Sequence, residues 1–504
     1  MSYISAGFLL LIAITAVIYY LLPKNCQWVI LLAASFVFYA TYGVRYMGYI
    51  LFTIITTYFL AVKMGTCEDK PTRKRYLVWC LLLNFGLLFL MKYLNFTIGN
   101  LNSVFKLFHL DVSVGKLGLI MPLGMSFYTF QTMSYAIDVY YKKVKPEQNI
   151  FKFALFVSFF PQLLQGPIGR FDKLHHQLVE GNTFDIINVE HGIQRMLLGM
   201  AKKLILADRA SIVATTLLTN LNIYTGAHMI VGMLFYSVYI YCDFAGGMDL
   251  VIGAAEVFGI KMDENFKQPY FSLSLGEFWR RWHISLGAWM KDYIFYPFSI
   301  SKPMAKFSKF AKKKFGKQIG RTLPICLANI LIFFIVGVWH GANWKYIIYG
   351  LYNGIIIAIS NLLKPCYAKG LEICHINGDS WYWRGFKMFR TFILVNIGWL
   401  CDACTTASEV FKALGNIFVN FNIAAVFDGG LLKMGLNMRD YKIMLVALII
   451  HLIFSIIKER GVNIREWIDK RPLVFRWAVY IMLIFVTAPF GFVGATTEFM
   501  YAQF

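Results

Sequence analysis

The chain alternates long apolar runs with short basic gaps. The first three runs cover residues 7–22, 28–42 and 46–62, and a basic gap follows at residues 63–75. A helix needs about 20 apolar residues to cross a bilayer, and several of these runs approach that length. The pattern predicts an all-α polytopic membrane protein with about eleven transmembrane helices.

One apolar run differs from the others in its density of helix breakers. Residues 151–166 are interrupted by Pro161 and end at Gly166-Pro167. Such breakers favour a re-entrant element over a continuous span. The remaining apolar runs cover residues 76–91, 117–141, 192–207, 228–258, 322–338, 346–363, 386–401, 441–457 and 473–490. We expect residues 95–110, 171–190 and 408–421, which are more amphipathic or polar, to lie in the membrane interface.

The basic gaps predict the orientation of the chain. Lysine and arginine gather at residues 63–75, 142–145 and 458–476. Cytoplasmic segments of membrane proteins carry an excess of these residues, so the gaps are expected inside and both termini outside. Because no soluble segment or tandem repeat interrupts the runs, we expect a single transmembrane domain over residues 1–504.

Composition supports the membrane class and narrows the partners. The chain is 58% hydrophobic and only 15% charged, with a mean hydropathy of +0.57. A soluble domain carries nearer a quarter charged residues. The net charge of +22 falls in the short gaps between apolar runs, so we expect contact with membrane lipids and no nucleic-acid partner. We expect no bound metal and no resident cofactor.

The candidate chemistry lies in residues 277–344, where two Trp-His pairs flank a strongly basic segment. The pairs are Trp282-His283 and Trp339-His340, and the basic segment, residues 301–321, is expected to form a loop. His340 ends the apolar run 322–338, and an ionisable residue at that depth is costly unless it is functional. Imidazole can move a proton near neutral pH. From the residues alone, a buried structural histidine remains the alternative.

The charged candidates have two interpretations each. Arg280 and Arg281 could reach lipid headgroups or meet a phosphate-rich donor or an acidic carrier. Asp243 and Asp249 lie within an apolar run, so they face protein or a water-filled cavity. For each aspartate, helix capping or another structural use is the alternative to a role in substrate binding.

Several motifs resemble the membrane-bound O-acyltransferase family, in the branch of the alginate O-acetylation membrane protein and the D-alanyl transfer protein of teichoic acids. They are MPLGMSFYTFQ (121–131), VSFFPQ (157–162), GPI (166–168), DFAGGMD (243–249), FWRRWHISL (278–286) and WHGANW (339–344). The resemblance extends over nearly the whole chain. It implies a bowl of helices around a thin central layer that a tunnel crosses.

The resemblance also implies roles for individual residues. His340 matches the family's catalytic histidine and His283 its second active-site histidine. Candidate substrate-binding residues in the same motifs are Trp279, Arg280, Arg281, Trp282, Trp339, Asn343, Asp243 and Asp249. The implied acyl donor is a cytoplasmic thioester, either acetyl-coenzyme A or an acyl-carrier protein, and either anionic donor would suit the basic segment.

The end of the chain, residues 499–504, resembles a terminal Phe-x-Tyr-Phe-x-Phe motif of this branch. In that motif the tyrosine is proposed to carry the acyl group on the outer side, which makes Tyr501 a third candidate catalytic residue. Here Ala502 stands where the motif has its middle aromatic residue. An interfacial tyrosine in an aromatic belt is the alternative interpretation.

Together these features predict an O-acyltransferase in a bacterial cell membrane. It would move an acetyl group from the cytoplasmic donor across the membrane for O-acetylation of a cell-surface or exported polysaccharide. An extracytoplasmic SGNH-like acetyltransferase or the polysaccharide itself would receive the group. The alternatives are D-alanyl transfer to teichoic acids and, in another class, a polysaccharide or lipid transporter without chemistry.

Overall fold

The computed structural model describes residues 1–491 and 499–500. Across them the regular structure is helical, apart from one isolated antiparallel bridge between Phe266 and Trp282. The α-helices are α1 (Ala6–Leu21), α2 (Lys24–Ala40), α3 (Val44–Thr66), α4 (Lys70–Lys92), α5 (Leu94–Leu107), α6 (Met125–Tyr140), α7 (Ile150–Ser158), α8 (Phe171–Val179), α9 (Ile186–Ala201), α10 (Asp208–Thr219), α11 (Gly226–Glu256), α12 (Leu275–Arg281), α13 (Ile284–Met290), α14 (Tyr296–Ser299), α15 (Lys302–His340), α16 (Trp344–Leu362), α17 (Lys364–Ile373), α18 (Trp381–Ala403), α19 (Ala407–Val419), α20 (Met438–Glu459), α21 (Ile464–Asp469) and α22 (Leu473–Phe490). Shorter 3₁₀ turns are Pro269–Phe271, Ala424–Val426 and Gly430–Lys433, and π-helical segments are Lys202–Ala207 and Lys291–Phe295.

The predicted all-α membrane class is confirmed, whereas the number of spans is not. Five helices of the described residues are long and apolar enough to cross a membrane, namely α3, α4, α11, α15 and α20. The pair α16 and α17, bent by 56°, makes a sixth if it counts as one span. The predicted count of about eleven is not confirmed. Some predicted spans form shorter helices than expected. The run 117–141, for example, is helical only from Met125.

The outer surfaces of several of these helices are apolar and uncovered. Only 6% of the most apolar window of α20 is buried inside the protein, and only 17% of that of α4. Uncovered leucine, valine and phenylalanine side chains at this density would aggregate in water, but they match a lipid environment.

The chain divides by its contacts into two compact units. In the described part, unit 1 comprises Met1–Met200, Gly247–Asp263 and residues 499–500, and unit 2 comprises Ala201–Gly246 and residues 264–491. Both units are built from helices. The single transmembrane domain expected over residues 1–504 stays a prediction.

Unit 1 contains the non-helical segment that the helix breakers predicted. Helix α7 ends at Ser158, and residues 159–170 follow without helix. Side chains from neighbouring helices bond to the backbone there: Ser35 Oγ accepts from Phe160 N at 3.1 Å, and Tyr3 OH accepts from Leu164 N at 3.1 Å. These bonds stabilise irregular backbone within an apolar protein, where each unsatisfied polar group is costly.

The strongly basic segment of unit 2 is helical, so the prediction of a loop at residues 301–321 is wrong. Helix α15 starts at Lys302, directly after Ser301, whose Oγ accepts a capping bond from Met304 N at 3.4 Å. Lysine has a long unbranched side chain and loses little freedom in a helix. The helical dihedrals break once, at Gly316 with φ 82°, a conformation that favours glycine. We call residues 302–315 the basic helix.

The second half of α15 packs against α16 through glycines. A Cβ on Gly337 would lie 2.3 Å from the carbonyl oxygen of Tyr346, and one on Gly350 would lie 2.1 Å from that of Phe333. Only glycine permits such an approach between two helix backbones, as in other membrane helix pairs. The close contact holds the last turn of α15, which carries His340, against the first turns of α16.

Candidate active site

His340 is the last residue of α15 and is buried among aromatic rings of α16. Its side chain is 3% exposed. The imidazole lies nearly parallel to the ring of Tyr346, with centroids 6.0 Å apart, and edge-on to Tyr349 at 5.5 Å. The aromatic contacts orient the imidazole and keep bulk water from it.

His283 lies between α12 and α13 in a left-handed backbone conformation, with φ 47°. It is 2% exposed, and a histidine at positive φ is uncommon. Asn265 organises this turn, because its backbone oxygen accepts from Ile284 N at 3.0 Å and its Oδ1 accepts from Ser285 N at 2.9 Å. The same Oδ1 lies 3.3 Å from His283 Nδ1. If Nδ1 carries the proton and donates to Asn265, the lone pair of the ring lies on Nε2.

Trp339 joins the two histidines. Its ring centroid lies 5.9 Å from that of His283 and 5.1 Å from that of His340. His283 and His340 are 57 positions apart in the sequence, yet both contact this one indole ring. Two imidazoles that share one buried aromatic wall can act on the same small group, one as base and one as a hydrogen-bonding partner.

Burial lowers the pKa of His283 to about 3, and the nearby His340 contributes to the same shift. His283 lies outside the helices that could span the membrane. A neutral imidazole is the form that can accept a proton from a hydroxyl group. His283 is therefore in its basic form across the physiological pH range.

This shift predicts a loss of stability in acid. Unfolding returns the His283 pKa to about 6.5, so between about pH 6.5 and pH 3 the unfolded chain binds a proton that the folded chain does not. The free energy of unfolding therefore falls as the pH falls through this window, by up to about 1.4 kcal/mol for each pH unit. Thermal unfolding midpoints of the detergent-solubilised protein and of His283→Gln, measured at pH 7 and pH 5, test this. We expect a larger decrease for the native protein, and equal decreases would contradict the assignment.

A buried polar network lies behind Tyr346. The carboxylate of Asp402 accepts from the hydroxyl group of Tyr236 at 2.8 Å and also from that of Tyr346. Lys345 Nζ donates to the backbone oxygens of Asp402 and Cys404 at 2.9 and 2.7 Å. Because these bonds fix the ring of Tyr346, they also fix the surface on which the imidazole of His340 lies.

Three of the predicted substrate-binding residues have structural contacts of their own. Trp279 Nε1 donates to Asn353 Oδ1 at 3.0 Å, and Asn343 Oδ1 accepts from Lys345 N at 3.1 Å as the N-cap of α16. Trp282 is buried against Trp399, with ring centroids 5.0 Å apart. These contacts position the site, and direct binding of substrate by the three residues stays a prediction.

The two candidate arginines differ in their surroundings. Arg280 is exposed. Arg281 forms ion pairs with Glu277 at 2.8 Å and with Glu459 at 2.7 Å. The charge of Arg281 is thus balanced within unit 2, so Arg280 is the more suitable of the two for an anionic ligand.

Both candidate aspartates are ion-paired. Asp243 Oδ1 lies 2.6 Å from Nζ of Lys203, which also contacts Asp208 Oδ1 at 2.8 Å. Asp249 Oδ1 lies 3.1 Å from Nε of Arg195. Both carboxylates thus have cationic partners, and the role of the two aspartates in substrate binding stays a prediction. Tyr501 lies outside the described residues.

Sequence reasoning did not identify Asn265 or Asp402 as site residues. Asn265 lies in a polar stretch, 18 residues before His283. Asp402 follows the apolar run 386–401, which has the composition of an ordinary transmembrane span. The only local signal was the position of Asp402 at the end of an apolar run, where a carboxylate must find partners.

These features define a helical membrane protein with a buried pair of histidines suited to acid–base chemistry. Residues 141–399 match the family described as MBOAT, membrane-bound O-acyltransferase family. The chain belongs to this family of acyltransferases, as its motifs predicted.

Three relatives illustrate the range of the similarity. "Probable alginate O-acetylase AlgI" of Azotobacter vinelandii is 32% identical over 384 residues, which are 76% of this chain and 71% of the relative. "Peptidoglycan O-acetyltransferase" of Helicobacter pylori is 30% identical over 78% of this chain and 73% of the relative. "Teichoic acid D-alanyltransferase" of Bacillus subtilis is 30% identical over 50% of this chain and 62% of the relative.

Proposed function

We propose that this protein moves an acetyl group from a cytoplasmic thioester donor across the membrane for O-acetylation of a cell-surface or exported polysaccharide. The observation that carries the proposal is that His283 and His340, both buried, contact the same indole ring, that of Trp339. The relatives named for O-acetylation support the acetyl group, because they align with 76% and 78% of this chain.

In the proposed reaction His340 is the base, or it positions the acceptor hydroxyl. As the hydroxyl oxygen attacks the thioester carbonyl, a C–O bond forms, the C–S bond breaks, and the imidazole takes the hydroxyl proton. The departing thiolate then receives that proton. His283, held by Asn265, assists by hydrogen bonding to the reacting group.

The basic helix supports an anionic donor on the cytoplasmic side. It carries Lys302, Lys306, Lys309, Lys312, Lys313 and Lys314, with no acidic residue. Acetyl-coenzyme A and an acyl-carrier protein are both anionic, and a one-sign surface raises the rate at which such partners arrive. The same charge supports a cytoplasmic position for this end of α15 under the positive-inside rule.

This orientation defines the proposed location of the protein and the side of the membrane on which its acceptors would lie. The protein would lie in a bacterial cell membrane with both termini outside. Tyr501 would then face the outer side, where a phenol ester could hold the acetyl group before an SGNH-like acetyltransferase or the polysaccharide accepts it. A phenolate is a good leaving group, which makes such an ester a competent donor.

Trapping the acyl group tests the proposal. The purified protein would be incubated with radiolabelled acetyl-coenzyme A, digested and mapped by mass spectrometry. We expect label on Tyr501 that is absent from Tyr501→Phe and from His340→Ala, and unchanged in Tyr367→Phe, a control at an exposed tyrosine. Absence of label with normal polysaccharide acetylation in cells would replace the tyrosine relay by direct transfer or by a carrier-protein donor. Absence of label together with normal acetylation in a deletion strain would overturn the proposed function.

D-alanyl transfer to teichoic acid is the second candidate function. It has the support of a relative that aligns with half of this chain. The two functions share the histidines and differ in the group transferred. Release of alanine instead of acetate from the cell-wall polymers would favour D-alanyl transfer, provided that His340→Ala abolishes this release.

A further inference from the structure

The basic helix presents a row of lysines on the face that points away from the protein. Lys302, Lys306, Lys309 and Lys313 follow one another at spacings of four, three and four residues. Since an α-helix turns by about 100° per residue, these four side chains lie within about 60° of one another around the helix axis. All four are exposed, whereas Ala311, about half a turn away from the row, is buried. One face of the basic helix therefore packs on the protein, and the opposite face is positively charged.

The charge of the basic helix is not balanced by carboxylates. The basic helix has no acidic residue of its own, and across the described part of the chain none of its six lysines forms an ion pair. Lys314 Nζ lies 5.9 Å from the ring centroid of Phe310 and 5.6 Å from that of Phe315, contacts that hold a cation without neutralising it. Six neighbouring positive charges repel one another, so an anionic partner would stabilise this segment.

Contacts of Gly320 place the basic helix next to the part of α15 that can cross the membrane. Gly320 lies two residues before the apolar run 322–338. Ser308 Oγ donates to its backbone oxygen at 3.3 Å, and a Cβ on Gly320 would lie 2.4 Å from Lys312 Cα. In a straight helix these pairs of residues would be about 12–18 Å apart, so the chain turns back after Gly316. The middle of the basic helix therefore lies where the apolar run begins, at the surface of the bilayer.

Exposed apolar side chains beside the lysines favour a lipid over a soluble anion. Ile300 is 80% exposed, Phe310 57% and Phe315 49%. Lysines and aromatic rings on one exposed surface are typical of helices that lie in the membrane interface, where the rings reach the acyl chains and the ammonium groups stay at the headgroups. A soluble anion such as coenzyme A would pair with the lysines but would leave these side chains in water. A bilayer provides both the anionic groups and the apolar boundary.

We propose that the basic helix binds anionic phospholipids of the inner leaflet through this row of lysines. The ammonium groups pair with headgroup phosphates, and Phe310 lies at the boundary between headgroups and acyl chains. Phosphatidylcholine has the same phosphodiester, but its choline cation neutralises it, so the row favours headgroups with a net negative charge. The proposal does not rest on acyl transfer, because it uses only the charge, the exposure and the position of the basic helix. It adds a lipid partner to a segment whose charge also attracts an anionic donor.

Photo-crosslinking of lipids to the full-length protein tests the proposal. Nanodiscs of phosphatidylcholine and phosphatidylglycerol would contain phosphatidylglycerol with a photoreactive diazirine on its headgroup, and labelled peptides would be mapped by mass spectrometry after irradiation. We expect label on residues 302–315 that decreases about tenfold or more when the four charges of the row are removed. The test variant combines Lys302→Gln, Lys306→Gln, Lys309→Gln and Lys313→Gln. The control variant removes four exposed lysines from other basic gaps, by Lys70→Gln, Lys74→Gln, Lys142→Gln and Lys145→Gln, and should keep the label on residues 302–315.

Two comparisons decide between an anionic lipid and the other partners. Phosphatidylcholine with the same diazirine should label residues 302–315 about tenfold less, and equal labelling would mean that the basic helix is merely close to the bilayer. If the test variant keeps the phosphatidylglycerol label but has a higher KM for acetyl-coenzyme A, the row serves the donor and the proposal is wrong. Loss of the label supports the proposal whatever happens to this KM. Because labelling needs no turnover, a failure of the proposed acyl transfer would leave this result unchanged.

Discussion

The His340→Ala protein should fold and insert normally but transfer acyl groups about 10²- to 10⁴-fold more slowly, the range that a positioned acid–base group contributes. The imidazole of His340 ends α15 and contacts Tyr346, Tyr349 and Trp339. Its loss removes the proton acceptor without changing the helix. Polysaccharide acetylation in cells and single-turnover transfer by the purified protein would both measure the decrease. We expect the decrease in kcat, because the interaction forms only as the hydroxyl proton moves.

A matched control separates catalysis from packing. His228 is also buried in unit 2, at 5% exposed, with Nδ1 2.9 Å from Thr225 Oγ1. His228→Ala removes a comparable side chain and should leave kcat unchanged. His340→Gln keeps much of the volume and should be as slow as His340→Ala. Full acetylation by folded His340→Gln protein would show that the imidazole performs no chemistry.

The Lys203→Met protein should lose about 3–5 kcal/mol of stability, the usual result of removing one partner from a buried ion pair. Lys203 Nζ contacts Asp243 and Asp208 at 2.6 and 2.8 Å, and the three side chains are at most 1% exposed. Methionine would remove the cation that both buried carboxylates contact. The fraction of protein that stays monodisperse after heating in detergent would measure the loss.

The unfolding midpoint and KM together distinguish the two interpretations of Asp243, as a structural residue or as a substrate-binding residue. If the aspartate is structural, Asp243→Asn lowers the unfolding midpoint and leaves KM for the acyl donor unchanged. If it binds substrate, KM rises at an unchanged midpoint. Lys369→Met, at an exposed lysine of α17, controls for the loss of a positive charge. An unchanged midpoint for Lys203→Met would mean that the ion pairs contribute no stability.

The positions of many helices follow from the sequence because each apolar run is local. The run 441–457 lies within α20, and the run 346–363 matches α16 to within two residues. The break after Ser158 also appears where Pro161 and Gly166 predict it. Such signals depend on residues next to one another, so no tertiary contact is needed to interpret them.

The basic segment shows where local patterns were misleading. Its lysines suggested a solvated loop, yet residues 302–315 form a helix that Gly316 separates from the rest of α15. Lysine is compatible with both a loop and a helix, so charge alone cannot distinguish the two. Ser308 Oγ donates to the oxygen of Gly320 at 3.3 Å across this break, and that contact depends on the fold.

The sequence by itself determined the helical membrane class, the family and the two candidate histidines, since these depend on run length and on motifs of a few adjacent residues. Only the tertiary structure decided that Trp339 joins the histidines, that Asn265 orients His283, and that Asp402 supports the ring beneath His340. The contacts of Trp339 with His283, of Asn265 with His283 and of Asp402 with Tyr346 join positions distant in the chain. The physical reason is that hydrogen bonds and ring contacts act over a few ångströms in space, whereas a motif records only neighbours along the chain.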